Sequence, residues 1–434
     1  VSKAITSVVP NHPELAGARA AGIPLLSVQQ VIADAAATRG GALLGVAGTH
    51  GKTTSTGWLL AALRASGRDP SAFVGGPLGA ADGTPPGSPV HLGTEPGFIV
   101  EADEYGGNFD PYAADSAVIL NADWDHPDIF ADIDAVVATF ASWARPVLAR
   151  GVVVINVADP GGAAVSAALM RVTSAAERAR LVTYAIHAKE PDNRNDRERL
   201  KSATELAHVD AMLVRGNGGA VALSNVHLTP QAIDLLPSAS GLSARTLQIG
   251  LIGAHNASNA LGVALLAAAN GGSATGISSA IANFEGVGRR LQVLFDDGDR
   301  AVLDDYGHHP TAIRATIQTV RARYPERQLI LAIEPLTYHR TAALLEQLAD
   351  AAALADSVVV AEIFAVRDLD LTISSANALA AAVARHGVPA SAPGSVEAAA
   401  DAIAAALPAK SVVLVMGGGR STILATRLAH HLRS

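Results

Sequence analysis

Cysteine is absent from the 434 residues. No disulfide, thiolate zinc site or thiol nucleophile can exist in this chain. Aromatics make up only 4%, so the 49% of hydrophobic residues must fill a core mainly with Ala, Val, Leu and Ile. No apolar run of about 18 residues free of charges and turn formers occurs, so no membrane span is expected. Positive charge is scarce: 32 Lys and Arg stand against 40 Asp and Glu, for a formal net charge of −8. A protein that coats nucleic acid needs a basic face, and this balance argues against one. Small anionic ligands remain open, because helix ends and a few Arg hold them locally. The opening residues carry no signal-peptide pattern, and a cytoplasmic enzyme is expected. The chain starts at Val1 without a complete domain pattern, so most of an N-terminal domain is expected to be missing.

What is present is a regular alternation of short apolar strands and amphipathic helices. Strands are expected at 43–47, 97–101, 117–120, 152–156 and 181–185, with a helix at 133–143. Polar residues 187–206 read as an exposed loop. Residues 208–252 alternate in shorter runs, with a turn at Gly216-Asn217-Gly218-Gly219, and read as an antiparallel appendage. A helix is expected from about 254 to 269, and Phe284-Glu285-Gly286-Val287-Gly288 reads as a domain joint. The alternation then restarts: strands at 302–303, 329–333, 358–361 and 412–416, helices at 311–323, 341–353, 375–386 and 422–432. The fold class is therefore α/β. A P-loop-type central domain with a mostly parallel sheet, over 38–286, precedes a smaller Rossmann-like α/β domain over 287–434.

The most informative stretch is Gly45-Val46-Ala47-Gly48-Thr49-His50-Gly51-Lys52-Thr53-Thr54. It joins an apolar strand to a helix start, which makes a phosphate cradle. Glycines admit the phosphates to backbone N–H groups, and the helix start adds about +0.5 of charge. Lys52 can neutralise β/γ-phosphate charge, and the Thr53 hydroxyl can ligate Mg²⁺. The strict phosphate-loop spacing needs Gly at 46, where this chain has Val46. Lys52 is expected to face solvent, so that its removal spares the fold.

Further charged clusters follow later strands, where parallel sheets bind ligands. Glu101-Ala102-Asp103-Glu104 offers a carboxylate for Mg²⁺. Asp123-Trp124-Asp125-His126 offers a possible metal ligand in His126, although Mg²⁺ prefers oxygen. His255 and Asn256 open a helix, and Asn259 shares a face with Asn256. Side-chain amides of this kind suit an adenine edge. Arg289-Arg290 and Asp304-Asp305-Tyr306-Gly307-His308-His309 follow. The two histidines point apart and read as local structure and substrate contact rather than zinc. Arg340 follows another strand and suits carboxylate or phosphate capture. Gly417-Gly418-Gly419 is a weaker signal that fits a tight turn.

These segments, in this order, resemble the Mur ligases of peptidoglycan synthesis. The matching residues are 48–54, 101–104, Asp125-His126, His255-Asn256 with Asn259, 286–290 and 304–311. The resemblance runs from about residue 5 to the end. It implies ATP-dependent amide synthesis: ATP converts a carboxylate to an acyl phosphate, and an amine displaces the phosphate. It assigns Gly48, Thr49, His50, Gly51, Lys52, Thr53 and Thr54 to the phosphates, with Lys52 catalytic. Thr53 and Glu101 would hold Mg²⁺, with His126, also a catalytic residue, at a second ion. His255, Asn256 and Asn259 would line adenine, and Arg290 and Asp305 would reach ATP after domain closure. Tyr306, His308 and Arg340 would face the amino acid or muramoyl group, His308 and Arg340 as catalytic residues.

Residues 1–37 would be the remnant of an N-terminal UDP-binding domain. The absence of Lys between 126 and 150 fits the alanine-adding branch, with UDP-N-acetylmuramate and L-alanine as substrates and a monomer or homodimer as the unit. Glu334, Leu336 and Thr337 depart from that branch, which usually shows Gln-Pro-His and two Arg here. They lean toward the recycling ligases that attach a tripeptide. A folate-extending ligase and a P-loop NTPase switch without ligase activity are the other readings.

Overall fold

A computed structural model of the chain describes residues 1, 9, 11–78, 87–187, 207–216, 219–365, 368 and 370–433. The expected loop beyond His187, the middle of the Gly216–Gly219 turn and most of the opening tail lie outside the described residues.

Leu43–Ala47 (β1) is buried at every position, as a strand covered by helices on both faces must be. It lies inside a ten-stranded sheet. The other strands are Ser71–Phe73 (β2), Val90–His91 (β3), Phe98–Ala102 (β4), Ser116–Ile119 (β5), Val153–Asn156 (β6), Leu181–His187 (β7), Val209–Arg215 (β8), Val221–Leu228 (β9) and Leu247–Ile249 (β10). Their order is β10-β9-β8-β7-β6-β5-β1-β4-β2-β3. The pairs from β8 to β2 are parallel; β3, β9 and β10 join antiparallel. The expected appendage over 208–252 thus continues this sheet through the parallel β7–β8 pair.

Strand alternation separates two cores. Leu44, Val46, Ile99, Val118 and Leu120 face a cluster with Trp58 and the helix Ala254–Ala269. Leu43, Ala47, Val100, Ala117 and Ile119 face the other, with Phe140 and Trp143 of the helix Ile133–Leu148. That helix is capped by Asp132, which accepts from the Ala135 N–H, and it runs five residues beyond its expected end, through Pro146. Ala33 and Ala36 of the helix Val28–Arg39 are buried in the same cluster. These elements form one compact unit, Leu26–Trp124 with Ile129–Gly288.

The second unit comprises the described residues of Val1–Leu25, Asp125–Asp128 and Arg289–Ser434. Its sheet holds Gln292–Asp296 (β11), Arg300–Asp305 (β12), Gln328–Glu334 (β13), Ser357–Ala361 (β14), Ala390–Gly394 (β15) and Ser411–Gly417 (β16), in the order β11-β12-β16-β13-β14-β15. All its pairs are parallel except β11–β12. The single helix expected at 341–353 is two, Tyr338–Ala343 and Leu345–Ala352, parted at Leu344. The strand β15 escaped the sequence pattern because it lies at a sheet edge, contains Pro393 and has no apolar alternation.

Candidate active site

In the larger unit, β1 ends at Ala47 and the helix Lys52–Ala65 begins five residues on. This helix starts one turn earlier than its apolar pattern indicated, so Lys52 is its first residue. Gly48 has φ +140° and Gly51 φ +82°, values that favour glycine. A Cβ on Gly51 would stand 2.5 Å from Asn259 Nδ2, and one on Gly48 3.2 Å from the Asn121 backbone N. Asn121, at the end of β5, grips the loop from the side. Its Oδ1 accepts from the His50 N–H at 2.8 Å and its Nδ2 donates to the His50 carbonyl at 3.0 Å. The His50 ring stands 3.3 Å from Asp123. Thr54 is buried.

The β1–β4 register pairs Val46 with Glu101 and Ala47 with Ala102, so the acidic run leaves its strand beside the phosphate loop. The Thr53 hydroxyl donates to Glu101 Oε1 at 3.2 Å, and Gly75 N–H donates to Glu101 Oε2 at 2.7 Å. Lys52 Nζ donates to Glu104 Oε2 at 2.7 Å and to the Thr49 carbonyl at 3.4 Å, with Asp103 Oδ1 also 3.4 Å away. The Lys52 side chain is 11% exposed, which corrects the expectation that it faces solvent. Burial acts to lower its pKa, but Glu104 and Asp103 override burial and hold it above its ordinary value. The partnership of Glu104 with Lys52 is the main feature that sequence reasoning missed. Its signal was there, as the last carboxylate of Glu-Ala-Asp-Glu.

Among the adenine candidates, Asn259 is buried against Gly51 and His255 is exposed. Asn256 donates its amide to the Ile252 carbonyl at 2.7 Å, so that donor serves the helix start.

In the smaller unit, Asp305 is buried at the end of β12. It accepts from the Leu291 and Gly307 N–H groups at 2.9 and 2.8 Å, and burial pushes its carboxyl up. Arg289 and Arg290 each place a guanidinium 5.2 Å from the Tyr306 ring centre. His308 Nδ1 lies 3.0 Å from the Tyr306 carbonyl, so Nδ1 carries the proton and Nε2 the lone pair. Burial, then the Arg340 guanidinium, hold His308 well below its ordinary pKa. His309 caps the helix Pro310–Arg323, where it accepts from Thr311 N–H.

Arg340 is buried at the first turn of its short helix. That turn is capped by Thr337 at φ +62°, a strained value for Thr. Its Nε donates to Asp125 at 2.6 Å, Nη2 lies 3.1 Å from His126 Nδ1, and Nη1 is buried with no hydrogen-bond partner among the described residues. Burial acts to raise the Asp125 pKa, and Arg340 overrides it and holds the group well below its usual range.

The Gly417–Gly419 turn is closed by the protein itself. Buried Glu334 accepts from Ser421 N–H at 2.7 Å, and Arg289 donates to the Gly417 carbonyl and the Ser421 hydroxyl, both at 2.7 Å. The helix start there already holds its own carboxylate.

A strand, a glycine loop shaped for polyphosphate and a paired lysine, in one of two α/β units, make this an α/β nucleotide-dependent enzyme of the P-loop type. Residues 46–267 match the Mur ligase middle domain and residues 289–419 the glutamate ligase domain of Mur ligases. The chain belongs to the Mur ligase family, whose members are ATP-dependent amide ligases.

It is 33% identical over 443 aligned positions to the UDP-N-acetylmuramate–L-alanine ligase of Mycobacterium marinum, covering 99% of this chain and 82% of that protein. The crystal structure of the UDP-N-acetylmuramate–alanine ligase of Thermotoga maritima superposes with a TM-score of 0.74 at 21% identity, over 98% of this chain and 84% of that one. A murein peptide ligase from Psychrobacter arcticus gives a TM-score of 0.65 at 21% identity, over the same shares. At these identities the two structures speak to the fold.

Proposed function

We propose that this chain joins L-alanine to UDP-N-acetylmuramate in peptidoglycan synthesis, at the expense of ATP. The muramoyl carboxylate takes the γ-phosphoryl group to give an acyl phosphate and ADP. The amine of alanine attacks the acyl carbon, and phosphate leaves as the amide forms. A carboxylate is a poor electrophile, so the protein's contribution is positioning and charge neutralisation.

Residues 38–286 bind ATP in this reading, and 287–434 serve the ligation. Gly48 to Thr54 cradle the phosphates, and Lys52 stabilises the transferring group. His255, Asn256 and Asn259 line the base. In the smaller unit Arg290 and Asp305 serve the nucleotide. Arg340, whose buried Nη1 has no partner among the described residues, and His308, with its Nε2 lone pair, face the carboxylate and the amine. The oxygen pair of Thr53 and Glu101, 3.2 Å apart, fits Mg²⁺. When bound there, the ion supplies charge neutralisation to the phosphates. His126 fits an ion poorly, since a guanidinium lies against its Nδ1. Its role in this reading is to orient Arg340. Substrates of this kind place the reaction in the cytoplasm.

The observation that carries the reading is the Lys52, Thr53 and Glu101 constellation at the phosphate loop. The test is incubation with ATP, Mg²⁺, UDP-N-acetylmuramate and L-alanine, with phosphate release and product mass as readouts. Leu336 and Thr337 favour a second reading, tripeptide attachment. Consumption of tripeptide but not of L-alanine selects it. Phosphate release that depends on no amine removes both.

A further inference from the structure

Glu104 has no role in the reaction as drawn, yet its side chain is only 2% exposed and it makes the shortest contact Lys52 has. Removing a carboxylate from water is costly, and an apolar pair of equal volume usually stabilises such a spot as well or better. A charged pair kept here therefore points to a use for the ammonium. We infer that Glu104 is a positioning residue that fixes the Lys52 ammonium at the phosphate loop, so that Lys52 meets the γ-phosphate already oriented. The inference rests on the reading of Lys52 as the phosphate-binding lysine.

Donor geometry explains how one lysine serves both partners. An ammonium has three N–H donors. Glu104 takes one at 2.7 Å and the Thr49 carbonyl another at 3.4 Å. The third points among Asp103 and the loop, where Asp103 Oδ1 stands 3.4 Å off on a side chain 36% exposed. Phosphate displaces the exposed carboxylate, and the buried one stays. Lysine is a flexible stem with a point charge, so it needs such a clamp more than arginine does. The place of Glu104 follows from the fold: β4 ends at Ala102, and two residues carry the chain past the loop to set Glu104 against the first residue of the Lys52–Ala65 helix.

The experiment compares Glu104→Leu, Glu104→Gln, Lys52→Met and the double variant Lys52→Met/Glu104→Leu. Mg·ATP binding is followed by calorimetry, together with kcat and KM for ATP and for the amine. Glu104→Leu should lower kcat at least tenfold while KM for the amine stays unchanged. Glu104→Gln keeps an acceptor at the same place and should recover part of that loss. In the Lys52→Met background, where turnover is lost, the second substitution should cause no further loss of Mg·ATP affinity. Tighter Mg·ATP binding by Glu104→Leu would show a competitor for Lys52 and overturn the inference. Additive losses in the double variant, or wild-type kinetics in Glu104→Leu, would do the same. Wild-type protein that fails to bind Mg·ATP overturns the functional reading with it; normal wild-type binding with an indifferent Glu104 overturns this inference alone.

Discussion

Gly51→Ala separates two costs that usually arrive together. Gly51 has φ +82°, and so does Gly67, two residues past the end of the same helix. A Cβ at Gly67 meets nothing within 4 Å among the described residues, whereas at Gly51 it lands 2.5 Å from Asn259 Nδ2 and 3.2 Å from its Cγ. Gly67→Ala should therefore show the backbone penalty alone, about 1 kcal/mol. Gly51→Ala should show that penalty plus the displacement of Asn259, which is buried and has little room to yield. Moving a short buried side chain off its site costs of order 1–3 kcal/mol, as for other overpacked positions. The shift should appear where Asn259 and the loop act together, in nucleotide affinity. We expect Gly51→Ala to weaken ATP binding at least tenfold, about 1.4 kcal/mol, and Gly67→Ala to leave it unchanged. Urea unfolding and calorimetric titration of ATP on the three proteins supply both numbers. Equal stability losses with unchanged affinity in both variants would refute the claim that glycine at 51 is required by contact with Asn259.

Lys52→Ala should abolish turnover, and it should also destabilise the larger unit. Glu104 is left buried without its cation, a loss of about 3–5 kcal/mol when the carboxylate stays charged; thermal melts check this, and a wild-type melt refutes it. Glu101→Ala should raise the Mg²⁺ concentration needed for half-maximal activity strongly, and an unchanged metal titration removes Glu101 as a ligand. Asp125, held below its ordinary pKa in the folded protein, contributes stability that is present above about pH 3.9 and lost as the pH falls toward the folded value. In Arg340→Met the cation is gone and burial raises the group, so that acid-side loss should vanish. Melting temperatures of both proteins from about pH 2 to pH 7 decide it.

Most of the architecture was legible because buried strands such as β1, β5 and β16 are mainly apolar runs, the first and last of them running into glycine, and their helices carry amphipathic spacing. Short edge strands were not: Ser71–Phe73 has too few residues to show a period. The phosphate loop was legible because glycine spacing and a following Lys-Thr have one economical reading. The side-chain partnerships were not. Nothing local in the chain says that Lys52 turns to Glu104 rather than to water, or that Arg340 selects Asp125 from 215 positions away. In the sequence Glu334 reads as a departure from the pattern of the alanine-adding branch. It proves to close the turn at Gly417, a long-range role that only the β13–β16 pairing reveals.

The two-point hold of Asn121 on His50 has a thermodynamic consequence. Because the Asn121 side chain, two residues past β5, grips both the N–H and the carbonyl of His50, the loop acquires its curvature when the sheet assembles. The entropy of ordering it is spent during folding, and polyphosphate meets a mould that is already cast. Shortening that one amide, for instance to alanine, would hand the ordering cost back to each binding event.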